Sequence, residues 1–139
     1  MQTVSIFQSL TALAVVMPLL GAASPTADPL DAALQACLAK PDGETTVGML
    51  DCTQTAIHGW DKRLNEAYQR ALAALDPASR DLLRQSQRQW LAFREVERKA
   101  LGGPWRGNSG TLAGVMASNA VLSAIKERVE ELRVYLGGA

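Results

Sequence analysis

The chain is poor in the residues on which most enzymes depend. It has one histidine, His58, and two cysteines, Cys37 and Cys52, with no Cys-x-x-Cys spacing. A metal site needs a cluster of Cys, His, Asp or Glu. Asp51, Cys52 and His58 supply at most a partial set, so His58 is expected at the surface or in packing, with no metal and no other cofactor. Nucleophilic catalysis needs an activated Ser or Cys with a base in reach. Only one imidazole is present, and no strand–turn–helix pattern sets a serine on an elbow. Paired carboxylates could serve a glycosidase, but the acidic residues fall on solvent faces or at helix starts, and Glu95 and Glu97 point to different faces of one helix. The chain is therefore read as a non-enzyme.

Net charge is also lacking. Lys and Arg number 14 and so do Asp and Glu, which argues against a nucleic-acid binder with its basic stripe. No stretch alternates with period two, and Val, Ile and Thr are scattered, so no strands are expected.

The first 23 residues contain no Asp, Glu, Lys or Arg. The stretch runs through Ile6, Phe7, Leu10, Leu13, Val15, Val16, Leu19 and Leu20 to the small residues Gly21, Ala22 and Ala23, the layout of a secretory signal with a cut after Ala23. Because Met1 to Gln8 carries no basic side chain, an uncleaved membrane anchor is the competing reading. Pro18, Gly21, Pro25 and Pro29 suit a spanning helix of roughly 20 residues poorly. No cysteine lies at the cut, which argues against a lipid anchor. The expected organisation is a signal peptide over 1–23 and a single helical domain over 24–139, periplasmic or secreted, with no membrane contact after cleavage. A chain of this length supports one modest core.

Export would place Cys37 and Cys52 in an oxidising compartment, where an even count suggests a disulfide. The bridge would span the Pro41-Asp42-Gly43 turn and tie a short helix to a long one. Closing a loop of this size is worth roughly 3 kcal/mol in the chain-entropy picture. Two free buried thiols are the alternative.

The helix signals are regular. Asp28-Pro29 is a cap followed by proline at the first helical position, opening a short helix to about Lys40. A long helix follows from about Thr46 to Leu75, with Ile57, Trp60, Leu64, Ala67, Ala71 and Leu75 stepping by three and four, and Tyr68 and Leu72 beside them. Gly48 and Gly59 interrupt it, at about 1 kcal/mol each relative to Ala. Asp76-Pro77 repeats the cap and opens a helix to about Leu101, whose inner face is marked by Leu83, Ser86, Trp90, Phe93 and Glu97 with Leu82 adjacent. Gly102-Gly103-Pro104 stops it. The last helix spans about Thr111 to Leu136 on Val115, Asn119, Leu122, Ile125, Val129, Leu132 and Leu136. The expected fold is all-α: an antiparallel bundle of three long helices plus a short N-terminal helix, tied by one disulfide.

Two features remain. Asn65, Gln87 and Arg94 are polar residues amid apolar stripes, and buried polar groups need partners, so an interhelical network is expected of them. The glycine-rich loop 102–110 places Trp105 and Arg106 together, the side chains most often found as binding hot spots, with Asn108 and Ser109 beside them. The loop is either a lid on the bundle end or a contact surface for a partner.

Asp61-x-x-Leu64-Asn65-x-x-Tyr68, then Gln87-Arg88-x-Trp90-x-x-Phe93-Arg94, Gly110-Thr111, and Arg128 with Leu132 together resemble the LprI-like lysozyme-inhibitor family of small exported bacterial proteins. The resemblance runs from about Cys37 to Leu136. It implies a helical, disulfide-tied, non-enzymatic envelope protein in which Asp61, Leu64, Asn65, Tyr68, Gln87, Trp90 and Arg94 form scaffold. Cys37 and Cys52 match the family's first two cysteines, whereas Arg98 and Ala120 stand where it usually has two more. The implied function is inhibition of a lysozyme-type cell-wall hydrolase, for which the 102–110 loop offers Trp105, Arg106, Asn108 and Ser109 as the contact residues. The alternative is an immunity or binding module for another secreted or envelope protein.

Overall fold

The helix starts are fixed by side-chain caps. In the computed structural model, which describes residues 28–107 and 110–137, Asp28 accepts the Leu30 N–H at 2.9 Å ahead of α1, Pro29–Leu38. Thr45 accepts from Gly48 at 3.0 Å ahead of α2, Thr46–Ala74. Asp76 accepts both the backbone N–H and the hydroxyl of Ser79 ahead of α3, Pro77–Leu101. The fourth helix, α4, spans Leu112–Val134. Short 3₁₀ turns at Pro41–Glu44 and Pro104–Arg106 lie in the connections. No strand occurs among the described residues. The leader, the lead-in before Asp28, Asn108 and Ser109 lie outside them.

Successive helices run in opposite directions. Cys37 meets Cys52 in a disulfide with Cα atoms 5.7 Å apart, and Asp28 at the other end of α1 pairs with Arg63. The α3 residue Arg94 pairs with Asp61 of α2, while Gln87, earlier in α3, meets Arg128, late in α4. It follows that α2 and α4 are parallel. Gly114 lies beside Leu50, Asn119 accepts from the Thr53 hydroxyl, and Lys126 stands over Trp60, so residue numbers rise together along both helices.

These two helices make the closest backbone approach and carry most of the core. Ile57, Trp60, Leu64, Ala67 and Ala71 of α2 face Leu122, Ile125, Val129 and Leu132 of α4. Ala67 and Ala71 are fully buried, and their small size lets the axes come together. Each large apolar side chain buried here contributes about 1.5–3 kcal/mol.

By contrast, α3 buries only Leu83 and Gln87, with Trp90 half-buried against the core. Its inner stripe runs Leu83, Gln87, Trp90, Arg94. The apolar marks of the sequence placed Phe93 and Leu82 inward, but they are 60% and 69% exposed. Two of the four inward positions are polar, so counting apolar residues set the phase about one residue off.

Gly48 and Gly59 explain themselves in the packing. A Cβ on Gly48 would lie 1.8 Å from the Asp42 carbonyl oxygen, and one on Gly59 would lie 2.9 Å from Leu30 Cδ2. The first admits the 3₁₀ turn next to the disulfide, and the second seats α1 on α2. At Gly48 the helix-propensity loss is thus the condition for the 3₁₀ turn to pack on α2. At the α1–α2 seam Trp60 is buried and its indole N–H donates to Asp31 at 3.3 Å. Lys126 pairs with the same carboxylate at 2.7 Å. The Arg63 guanidinium stacks 4.6 Å from the Trp60 ring centroid.

Candidate functional site

The motif residues form a layer that holds α3 to the α2–α4 pair. Arg94 donates to Asp61 at 2.7 Å, and its guanidinium lies 5.0 Å from the Trp90 ring centroid. Arg128 lies 5.9 Å from the same centroid. Arg128 is only 7% exposed. It donates to Gln87 at 3.1 Å, Ser86 at 3.1 Å and Glu131 at 2.8 Å. A buried guanidinium demands such partners, because its charge is costly to leave uncompensated. Long side chains thereby span a gap that the α3 backbone does not close.

The sequence-marked polar residues therefore divide. Gln87 joins Arg128, Arg94 joins Asp61, and Asn65 is exposed on the outer face of α2 beside Lys62 and Gln69. They share no single network. Leu64 is in the core and Tyr68 half-buried against it. His58 is exposed and within 3.3 Å of Gln54, one turn earlier. Among the described residues no group of three or more His, Cys, Asp or Glu could hold a metal ion, and no helix is long and apolar enough to cross a membrane.

Two adjoining depressions lie toward the end of the bundle where α3 finishes and α4 begins. A cleft of about 480 Å³ opens between α2, α3 and α4, floored by Ile57, Ala117 and Val121 and walled by Asp61, Arg94, Glu95 and Arg98. A narrower groove of about 190 Å³ adjoins it between α3 and α4, lined by Trp90, Phe93, Leu101, Val121 and Ala124, with Glu97 on its rim. Arg94 and Arg98 belong to both. The groove also contains Ala120.

Electrostatics in the cleft are local. Arg98 donates through Nε and Nη2 to both oxygens of Glu95, at 3.0 and 2.9 Å. That hydrogen bond, helped by the charges of Arg98 and Lys99, draws the Glu95 carboxyl from 4.5 down to about 2 and raises the Arg98 pKa.

Trp105 sits in the 3₁₀ turn after α3. Its indole N–H donates to the Ala100 carbonyl at the helix end, yet the residue is 70% exposed. It folds back without covering the core. The Arg106 backbone closes the same turn, and Gly107 and Gly110 adopt φ of 51° and 64° around the loop. Around this end Phe93, Val96, Leu112 and Met116 also expose large apolar side chains. Of these only Phe93 was placed on the inner face by the sequence; Leu112 and Met116 lie off the α4 stripe of Val115, Leu122 and Ile125, which was the available signal for them.

A family model described as Lysozyme inhibitor LprI matches residues 37–132. No curated protein matches the sequence. Among solved structures the chain is similar to an uncharacterized protein from Burkholderia thailandensis, at 31% identity and a TM-score of 0.71. The similarity covers 78% of this chain and 54% of that one, so the chain spans about half the length of that relative.

Proposed function

From the premise that this chain belongs to the LprI lysozyme-inhibitor family, we propose that it is an exported protein of the bacterial envelope that binds and blocks a lysozyme-type cell-wall hydrolase. The observation that carries the reading is the loop end of the bundle, where exposed Trp105 joins Phe93, Val96, Leu112 and Met116 beside a charged cleft. Exposed apolar side chains gathered around polar ones mark protein contact surfaces. The motif side chains are occupied in holding helices together, which favours a scaffold presenting a surface over a reactive centre.

Lysozyme cleaves glycosides with two carboxyl groups in a cleft. An inhibitor can fill that cleft with a protruding aromatic and offer cationic or hydroxyl donors to the acids. Trp105 is the aromatic in this reading, Arg106 the cation, and Asn108 and Ser109 the further donors. The protein performs no chemistry of its own, and the 1–23 leader directs it out of the cytoplasm. A turbidity assay with cell walls and representatives of each lysozyme class tests the reading. Inhibition at micromolar protein is expected, and none with any class would remove it.

A second reading, a binding or immunity module for another envelope or secreted protein, is favoured by the pairing of the cleft's own charges, Arg94 with Asp61 and Arg98 with Glu95. Capture of a partner without glycosidase activity would select it.

A further inference from the structure

α3 has a second lengthwise face besides the one it turns to the core. Leu82, Gln85, Gln89, Phe93 and Val96, with Ala78 and Ala100 at the ends, step by three and four and so fall on one side of the helix. All are exposed, Leu82, Phe93 and Val96 to 69%, 60% and 65%. α3 is rich in Arg, Lys, Asp and Glu, yet none of them falls on this stripe, which is unlike an ordinary solvent face. The stripe is also symmetric. Its spacing is the same in either direction from Gln89, so Ala78 mirrors Ala100, Leu82 mirrors Val96 and Gln85 mirrors Phe93. The charges along one flank are antisymmetric about the same centre. Their order is Asp81, Arg84, Arg88, Glu95, Lys99. Laid against its own reverse, this row sets Asp81 against Lys99 and Arg84 against Glu95, and only Arg88 against itself. Asp81 and Lys99 border the stripe directly, and Arg84 and Glu95 stand further round the helix.

We propose that α3 packs antiparallel on α3 of a second copy of this chain, about a two-fold axis at Gln89. Such an axis brings the same flank of each helix side by side, so the symmetry of the stripe and the antisymmetry of its flank are both satisfied at once. Leu82 of each chain lies over Val96 of the other, and Phe93 over Gln85. The two Gln89 amides, each both donor and acceptor, meet at the axis. Asp81 faces Lys99 of the second copy, twice by symmetry. A parallel pair would instead set every flank charge against its like. Asp81 and Lys99 already pair with Arg84 and Glu95 in their own chain, but those pairs are exposed and weak, so second-copy partners can share or replace them. The stripe is about 33 Å long at 1.5 Å per residue. One helix pair of that length falls at the small end of specific interfaces, so the dimer is weak and reversible. The inference stands apart from the hydrolase reading: it shares Phe93 and Val96 with the loop-end surface and needs neither Trp105, Leu112 nor Met116.

Sedimentation equilibrium of the purified protein, from about 20 µM to about 1 mM, should show a monomer–dimer equilibrium with a dissociation constant of about 1 mM or tighter. Val96→Glu, which sets a charge against Leu82 of the second copy, should weaken the dimer about tenfold or more. Asp81→Lys and Lys99→Asp should each weaken it about threefold, and the two together should restore it, because the exchanged charges meet again across the axis. Arg88→Ala removes the one like pair and should tighten it. These side chains are exposed, so the melting temperature of each variant should hold. With an added oxidant, Gln89→Cys should give a disulfide-linked dimer, its two sulfurs meeting at the axis. Leu82→Cys should not, since its two copies lie about 21 Å apart along the pair. A monomer throughout the concentration range, a dimer indifferent to Val96→Glu, a double charge exchange no tighter than the singles, or linkage through Leu82→Cys in place of Gln89→Cys overturns the proposal.

Discussion

Arg128 on α4 donates to Gln87 on α3 at 3.1 Å, both side chains buried, between two helices whose backbones approach less closely than those of α2 and α4. The guanidinium carries its stem across the space between them, and Gln87, Ser86 and Glu131 satisfy its head. Gln87→Ala should cost about 1–3 kcal/mol, because the guanidinium is left short of a buried acceptor. Arg128→Ala should cost at least as much, since it strands Gln87 and removes packing against Trp90. Urea unfolding of both single variants and the double variant checks this. A double variant that costs the sum of the singles would show that the pair is uncoupled.

How far the sequence foretold this arrangement differs from helix to helix. The three-and-four spacing from Ile57 to Ala71 located the buried face of α2, and Asp28-Pro29 and Asp76-Pro77 located two helix starts, because caps and stripes are local signals. On α3 the same logic turned Phe93 and Leu82 inward, since it counted apolar residues on a helix whose inward positions include Gln87 and Arg94. The parallel, close packing of α2 on α4 has no local signal: it depends on two helices that are not consecutive. Asp61 and Arg128 lie far in sequence from their respective partners Arg94 and Gln87, so the motif showed the residues and only the fold showed the pairs. For the candidate binding surface the sequence singled out the loop residues Trp105, Arg106, Asn108 and Ser109; it set Phe93 on the inner face and assigned no role to Val96, Leu112 and Met116, because exposure of an apolar side chain depends on which helices pack beside it.

The two interrupting glycines of α2 should respond differently to alanine. At Gly59 the clash is with the tip of Leu30, a flexible side chain that can shift, so the gain in helix propensity of about 1 kcal/mol should roughly cancel the cost. At Gly48 the clash is with the Asp42 backbone carbonyl. Gly48→Ala should destabilise by about 1–3 kcal/mol despite the same propensity gain. Thermal melts of the two variants decide it, and equal behaviour would show that the 3₁₀ turn does not bear on α2 in solution.

The disulfide anchors a helix with no fully buried residue. α1 rests on Leu30 and Leu34, on the Asp28–Arg63 and Asp31–Lys126 pairs, and on Cys37. Reduction should lower stability by roughly 3 kcal/mol. Intact mass before and after reduction should differ by two hydrogens, and melting with and without reductant measures the effect. Quantitative thiol labelling of the unreduced protein would contradict the bridge.

Acid should unfold the protein in a window set by its carboxylates. Burial raises the Asp28 pKa, but the Leu30 N–H, the Arg63 hydrogen bond and the charges of Arg63 and Lys126 outweigh it, so the net shift is downward. Glu95 falls to about 2, and Asp76 falls through its hydrogen bonds to Ser79. A carboxyl whose folded pKa lies below its unfolded value contributes stability that is complete above the unfolded value and is lost as pH falls through the folded one. Melting temperature should therefore stay level down to about pH 4.5 and decline toward pH 2. Asp28→Asn keeps a capping side chain but loses the charge facing Arg63. It should melt below the wild type near neutrality, and the gap should close as pH drops. A gap that is independent of pH would assign the loss to the cap.

Trp105 should separate stability from binding. Its indole hydrogen bond to Ala100 closes the turn after α3, but most of its surface faces solvent. Trp105→Ala should therefore cost no more than about 1 kcal/mol of stability, the net worth of one hydrogen bond. If the loop end is the contact surface, the same substitution should weaken partner binding by about 2 kcal/mol or more, the range of an aromatic hot spot. Arg106→Ala should follow the same pattern. Substitutions in the motif layer, such as Gln87→Ala, should do the opposite, lowering the melting temperature while leaving the affinity of the folded fraction nearly intact. Ordering the glycine-rich loop opposes affinity, so a variant with Gly107 kept and Gly103→Ala is informative as well. Its added Cβ would meet the Ala100 carbonyl oxygen at 3.1 Å and the Trp105 indole at 3.2 Å, disturbing the bond that joins them, and a loss of binding without a loss of stability would place the contact on that ring. Stability lost at Trp105 with binding lost at Gln87 or Arg94 would instead make the turn a structural cap and move the contact surface onto the motif face.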